Sequence, residues 1–133
     1  MKEVTKEKEI EVTFTRTVKF DDERMNDLLC CAMEGGSNYW YIIKEYGNPD
    51  KEKVEFRHLD LPFLENGYLM IGTVDDSNDD EPIRLDRAAM QKGLQIMADK
   101  YPWHFDNFIN ENDDAETGDV FLQCSLLGDI VYG

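Results

Sequence analysis

DDAETGDVFLQCSLLG, residues 113–128, sets an acidic start against a long apolar run and closes on glycine. Asp113 with Glu116 three residues later resembles a capping box in which Asp replaces Ser or Thr. Val120, Phe121, Leu122, Cys124, Leu126 and Leu127 then follow with hardly a polar interruption, and Gly128 offers the stop. A helix that is apolar nearly all round has no face to give to water, so the spacing predicts a central helix that the other elements surround.

Reading outward, Asp86 is placed to cap a second helix whose Ala89, Met90, Leu94, Ile96, Met97 and Ala98 make a broad apolar face before YPW ends it. Residues 103–112 hold one short helical turn. Upstream, GYLMIGTV (67–74) and PIRLD (82–86) read as two strands joined through the acidic turn DDSNDDE, a hairpin. NYWYIIKEY (38–46) is dense in aromatic and β-branched residues and is expected as a strand ended by the turn chemistry of GNPD. Residues 51–66 fit a short strand closed by Pro62 or an irregular insertion equally well.

Asp21 and Asp22 can cap a helix over about 22–34, with Met25, Leu28, Leu29, Ala32 and Met33 at helical spacing and Gly35 as its left-handed cap. At the start, EIEVTFTRTVKF (9–20) alternates Ile10, Val12 and Phe14 with Glu11, Thr13 and Thr15, the period of a strand with one buried face. The expectation is one α+β domain over residues 1–133, about three helices packed on a mostly antiparallel sheet of about four strands.

The charge is lopsided. Fourteen Lys plus Arg stand against 29 Asp plus Glu, a formal net charge of -15, which opposes direct binding to nucleic acid or to an anionic membrane surface. No run approaches the ~20 apolar residues of a membrane span, and MKEVTKEKEIEV lacks the apolar core of a signal peptide, so a cytoplasmic protein is expected. Cys30, Cys31 and Cys124 form an odd set without metal spacing and read as reduced core thiols.

No catalytic motif stands out, and neither a cofactor nor a metal is expected. DDSNDDEPIRLD has the length of a calcium loop, but Asp80 stands where the sharp turn needs Gly and Asp86 where a bidentate Glu should close it. His58 and His104 have no Cys, His or acidic neighbour in a recognised catalytic or zinc spacing. EGGSNYW (34–40) follows a helix instead of preceding one, the wrong polarity for holding phosphate. It reads as the turn that ends the helix, with Asn38, Tyr39 and Trp40 as an amide and rings suited to a partner or a stacked base. From Tyr101 to Gly133 the chain has Asp106, Glu111, Asp113, Asp114, Glu116, Asp119 and Asp129 and no Lys or Arg, which reads as an uncompensated acidic face.

LLCCAMEGGSNYW (28–40) together with DAETGDVFLQCSLLGDIVYG (114–133) resembles a family of small, mostly uncharacterised proteins carried by bacteriophages and prophages. The resemblance covers roughly residues 10–133 and is weakest over 47–66. Gly118 stands where a small apolar residue is expected, and Leu127 where Phe is usual. The resemblance implies a phage or prophage origin and no shared reaction, so no catalytic residue carries over.

Small acidic phage proteins often act stoichiometrically on host machinery, including restriction enzymes, CRISPR effectors and signalling-based immunity. The leading expectation is a non-enzymatic counter-defence inhibitor of this anti-CRISPR or anti-restriction type. It would bind a basic surface on a host protein through Asp113, Asp114, Glu116 and Asp119, imitating nucleic acid. The alternative is a protein that sequesters a nucleotide signal through Asn38, Tyr39 and Trp40, with Arg57 or Arg84 for phosphate. A homodimer through Tyr39, Trp40 and the VYG tail is a further expectation.

Overall fold

A computed structural model describes residues 9–49, 58–74 and 81–133. Its elements follow the order α1 (Asp22–Cys31), a π turn (Ala32–Gly36), β1 (Tyr41–Gly47), a 3-10 turn (His58–Phe63), β2 (Tyr68–Thr73), β3 (Ile83–Leu85), α2 (Arg87–Lys100), α3 (Pro102–Ile109) and α4 (Ala115–Leu127). The class is α+β. β1, β2 and β3 form an antiparallel sheet in that order, and the β1–β2 register slips at a bulge between Ile43 and Glu45.

The apolar run of α4 does what its composition demands. Every residue from Val120 to Leu126 is buried, and α4 touches α1, α2, α3, the π turn and β3. Leu69, Ile71 and Leu85 of the sheet enter the same core as Leu28 and Leu29 of α1, Met90 and Met97 of α2, and Phe121 and Leu122 of α4. Burying one such side chain stabilises the fold by roughly 1.5–3 kcal/mol, so this single contiguous cluster is the main source of stability.

The caps are local and follow the sequence. Asp21, Asp86 and Asp114 each accept the backbone N–H three residues on, from Arg24, Ala89 and Thr117, at 2.9 Å in all three cases. Thus the cap of α4 is Asp114 and not Asp113, whose carboxylate is drawn to Arg24 instead. Gly128 closes α4 in the left-handed region, as its position suggested.

Several expectations are corrected. Residues 9–20 form no strand: Ile10, Val12 and Phe14 are 96%, 75% and 77% exposed. Alternation defines a face, but a strand needs a neighbour about 5 Å away to pair its backbone and a packed layer about 10 Å away to bury that face. This segment has no such strand among the described residues and meets helices, docking through Phe20 on Phe105 and Phe108. The sheet therefore has three strands among the described residues, where about four were expected. YPW does not merely end α2, because Pro102 takes the first position of α3, where its fixed φ and missing N–H cost nothing.

Gly35 is not a left-handed cap, since Gly128 is the single described glycine with positive φ. Helix α1 ends instead in the π turn, with the Ser37 N–H donating to the Ala32 carbonyl at 2.8 Å. Within residues 51–66, 58–63 are a 3-10 turn and 51–57 lie outside the described residues, as does the acidic turn 75–80.

Gly118 marks the crossing of α1 and α4. A Cβ there would lie 2.6 Å from the Ala32 nitrogen and 2.7 Å from the Cys31 carbonyl carbon, both backbone atoms that cannot give way alone. Ala is the better helix former by about 1 kcal/mol, whereas overpacking costs about 1–3 kcal/mol. Gly118→Ala is therefore expected to destabilise the fold by up to about 2 kcal/mol net in a denaturant titration, in spite of the propensity gain.

Candidate functional site

The π turn delivers EGGSNYW onto α4. Gly36 lies so close that a Cβ would sit 1.8 Å from the Ala115 carbonyl oxygen, and this approach aims the next residues at Asp119, one turn further along the helix. Asp119 then collects three donors. Its Oδ1 accepts from Ser37 Oγ at 2.8 Å and from Trp40 Nε1 at 2.7 Å, and its Oδ2 accepts from Tyr39 Oη at 2.7 Å. Ser37 is fully buried and Trp40 is 1% exposed, so neither donor has water as an alternative.

Gln123, one turn beyond Asp119, fastens the chain end to the same junction. Its Oε1 accepts the backbone N–H groups of Val131 and Tyr132, both at 2.7 Å, and its Nε2 donates to the Tyr132 carbonyl at 2.9 Å. The Tyr132 ring is thereby laid on Trp40, 5.4 Å between centroids and 12° from parallel. The two stretches quoted for the family resemblance are thus the two halves of one contact.

Partial burial, followed by the hydrogen bond to Asp119, pushes the Tyr39 phenol up to about 12. Burial likewise raises the Cys124 thiol to about 11, and all three cysteines are free, Cys124 buried and Cys30 and Cys31 half-buried.

The acidic stretch divides into engaged and exposed groups. Asp113 accepts from Arg24 Nη2 at 2.5 Å and Nη1 at 3.3 Å, while Arg24 also donates to the Phe108 carbonyl and lies 4.2 Å over the Phe108 ring. Asp129 pairs with Lys100 at 3.2 Å and accepts from the Tyr101 hydroxyl. The acidic face is therefore not uncompensated: Arg24 and Lys100, outside the stretch counted, reach into it. Asp119 is occupied by its three donors. Asp106, Glu111, Asp114 and Glu116 remain exposed around the α3–α4 connection.

Of the aromatic cluster, Asn38 is exposed, Tyr39 is half-exposed and Trp40 is core. The Trp40 ring is taken by Tyr132 and its N–H by Asp119, so it offers no face for stacking a base or meeting a partner. Arg84 is held by Asp86 at 2.9 Å and lies over Tyr68, and Arg57 falls outside the described residues.

His104 does gain neighbours that spacing did not show. Its Nδ1 is 3.1 Å from Thr117 Oγ1 and its Nε2 is 4.0 Å from Glu116. This looks like a base flanked by a hydroxyl and an acid, yet Thr117 is fully buried and its hydroxyl has no open side for a substrate. Among the described residues no three His, Cys, Asp or Glu side chains are grouped to hold a metal ion.

No protein-family model, no curated protein and no solved structure matches the chain.

Two outcomes follow from the junction. Asp119→Ala strands the Ser37 and Trp40 donors in the core and is expected to cost on the order of 3 kcal/mol by denaturant unfolding. Asp119→Asn keeps an acceptor and should cost less, about 1–2 kcal/mol. Because the folded Tyr39 pKa is raised, its contribution is full below the ordinary tyrosine value of about 10. It is lost as pH rises from there through about 12. Melting curves across that window should fall more steeply for the wild type than for Tyr39→Phe.

Proposed function

We propose that the protein works by binding, as a phage-type accessory protein that occupies a basic surface on a host protein in the host cytoplasm. The observation that carries this reading is the α3–α4 corner. There Asp106, Glu111, Asp114 and Glu116 are exposed in a chain of net charge -15. Glu111 adds weight, because it holds a left-handed backbone, φ 59°, where Gly would sit without steric cost. A carboxylate kept at a strained turn is better explained by what it meets than by what it holds together. Of the expected contacts Asp113, Asp114, Glu116 and Asp119, the proposal keeps Glu116 and Asp114, which also caps α4, sets aside Asp113 and Asp119 as taken up within the fold, and adds Glu111. A nucleotide-sequestering protein is less favoured, since its stacking ring, Trp40, is buried.

The test is capture of host proteins by the tagged chain over a salt series, with Glu111→Lys/Glu116→Lys as the paired control. Exposed charges are screened beyond about 10 Å at 0.1 M salt and about 3 Å at 1 M, so a captured partner should elute as salt rises and should escape the charge-reversed variant. Retention indifferent to both would contradict the reading. Glu111→Gly sharpens the test: it is expected to leave the fold no less stable while weakening capture.

A further inference from the structure

We propose that the segment 9–19 is a dimerisation strand, which pairs antiparallel with the same segment of a second copy about a twofold axis at Phe14. This inference is independent of the acidic corner and of any host target.

Three observations bear on it. The first is that the segment carries a strand's alternation without a strand's partner. Ile10, Val12 and Phe14 form one parity of an extended chain and all are largely exposed, the largest apolar side chains so displayed in a row. Single exposed apolar residues are ordinary, but three on one face of an unpaired strand template invite another strand. The second is that, among the described residues, its contact with the body is concentrated toward its C-terminal end, where Phe20 packs on Phe105 and Phe108. Two clefts of about 330 Å³ and 340 Å³ run between residues 15–20 and α2, lined in common by Val18, Phe20, Gln91 and Leu94. Ile10, Val12 and Phe14 line neither cleft and are exposed.

The third observation selects a second copy as the occupant. The protein repels itself almost everywhere at net charge -15, but the arm is neutral, Glu9 and Glu11 balancing Arg16 and Lys19. Its sequence is also its own complement. With the axis at Phe14, Glu9 faces the partner strand's Lys19, Ile10 faces Val18, Glu11 faces Thr17, Val12 faces Arg16, Thr13 faces Thr15, and Phe14 faces itself. Opposite charges, apolar pairs and threonine pairs are the combinations that stabilise antiparallel neighbours, and no like charges are opposed. Such a pairing is isologous and closes at two copies. A two-stranded ribbon by itself is weak, so the dimer should depend on concentration.

Sedimentation velocity on the full chain, over a roughly hundredfold range of concentration, is the test. A monomer–dimer equilibrium is expected. Phe14→Asp should raise the dissociation constant at least about tenfold, because it opposes two charges on the axis. At concentrations low enough for both chains to be monomeric its melting temperature should match the wild type, since Phe14 is exposed in the monomer. Lys19→Glu should weaken the dimer in the same way, and adding Glu9→Lys should restore it, an outcome that only this register predicts. A chain that remains monomeric throughout, or a dimer that Phe14→Asp and Lys19→Glu both leave intact, overturns the proposal.

Discussion

The carboxylate of Asp119 is the constraint around which the rest of the molecule is arranged. It sits half-buried on the one helix that is buried on nearly every side. Two of the three donors that converge on it, Ser37 and Trp40, are buried, and a buried donor without an acceptor is costly; Asp119 supplies that acceptor. Those donors all come from the few residues between α1 and β1. The path of the chain from helix to sheet is thereby fixed: the π turn, the close approach of Gly36 to Ala115 and the inward turn of Trp40 are what is needed to bring three donors to two oxygens. Gln123 extends the same logic to the chain end, and the stacking of Tyr132 on Trp40 covers the result.

A second consequence concerns charge. A stretch with seven acidic residues and no base looks like a field directed outward, but sequence separation is a poor guide to what compensates a carboxylate. Arg24 reaches Asp113 across 89 positions, and Asp119 is held by hydroxyl and indole donors with no cation paired to it among the described residues. Asp113 and Asp119 hold elements together, whereas Asp106, Glu111, Glu116 and the α4 cap Asp114 remain exposed around the α3–α4 corner. The proposed function rests on the second group alone.

Much of the fold was legible because its determinants are local. α4, its Gly128 stop, the Asp86 cap, the β2–β3 hairpin and β1 follow from periodicity and cap chemistry that act within a few residues. What was not legible depends on contacts distant in sequence. The Ile10, Val12, Phe14 alternation specified a strand, but nothing local says whether a partner strand is in reach. The GG of EGGSNYW announced a helix end, but a left-handed cap and a π turn share that signature, and the choice is made by Ala115 and Asp119 some 80 residues away. The same dependence hid the site: Tyr39 and Trp40 could be noticed as a cluster, whereas their common acceptor could not. The family resemblance had singled out both partner stretches without indicating that they meet.

The most direct test of this account is a double-mutant cycle between Asp119→Ala and Trp40→Phe, read by equilibrium unfolding. Phe removes the indole N–H and part of the ring, and the packing loss, common to both Asp119 backgrounds, cancels in the cycle, which leaves the coupling between the two side chains. The account predicts a coupling of about 1 kcal/mol or more, as expected for a hydrogen bond from a buried indole to a carboxylate. Additive losses, with no coupling, would mean that Asp119 is a bystander to the packing of Trp40 and would contradict it.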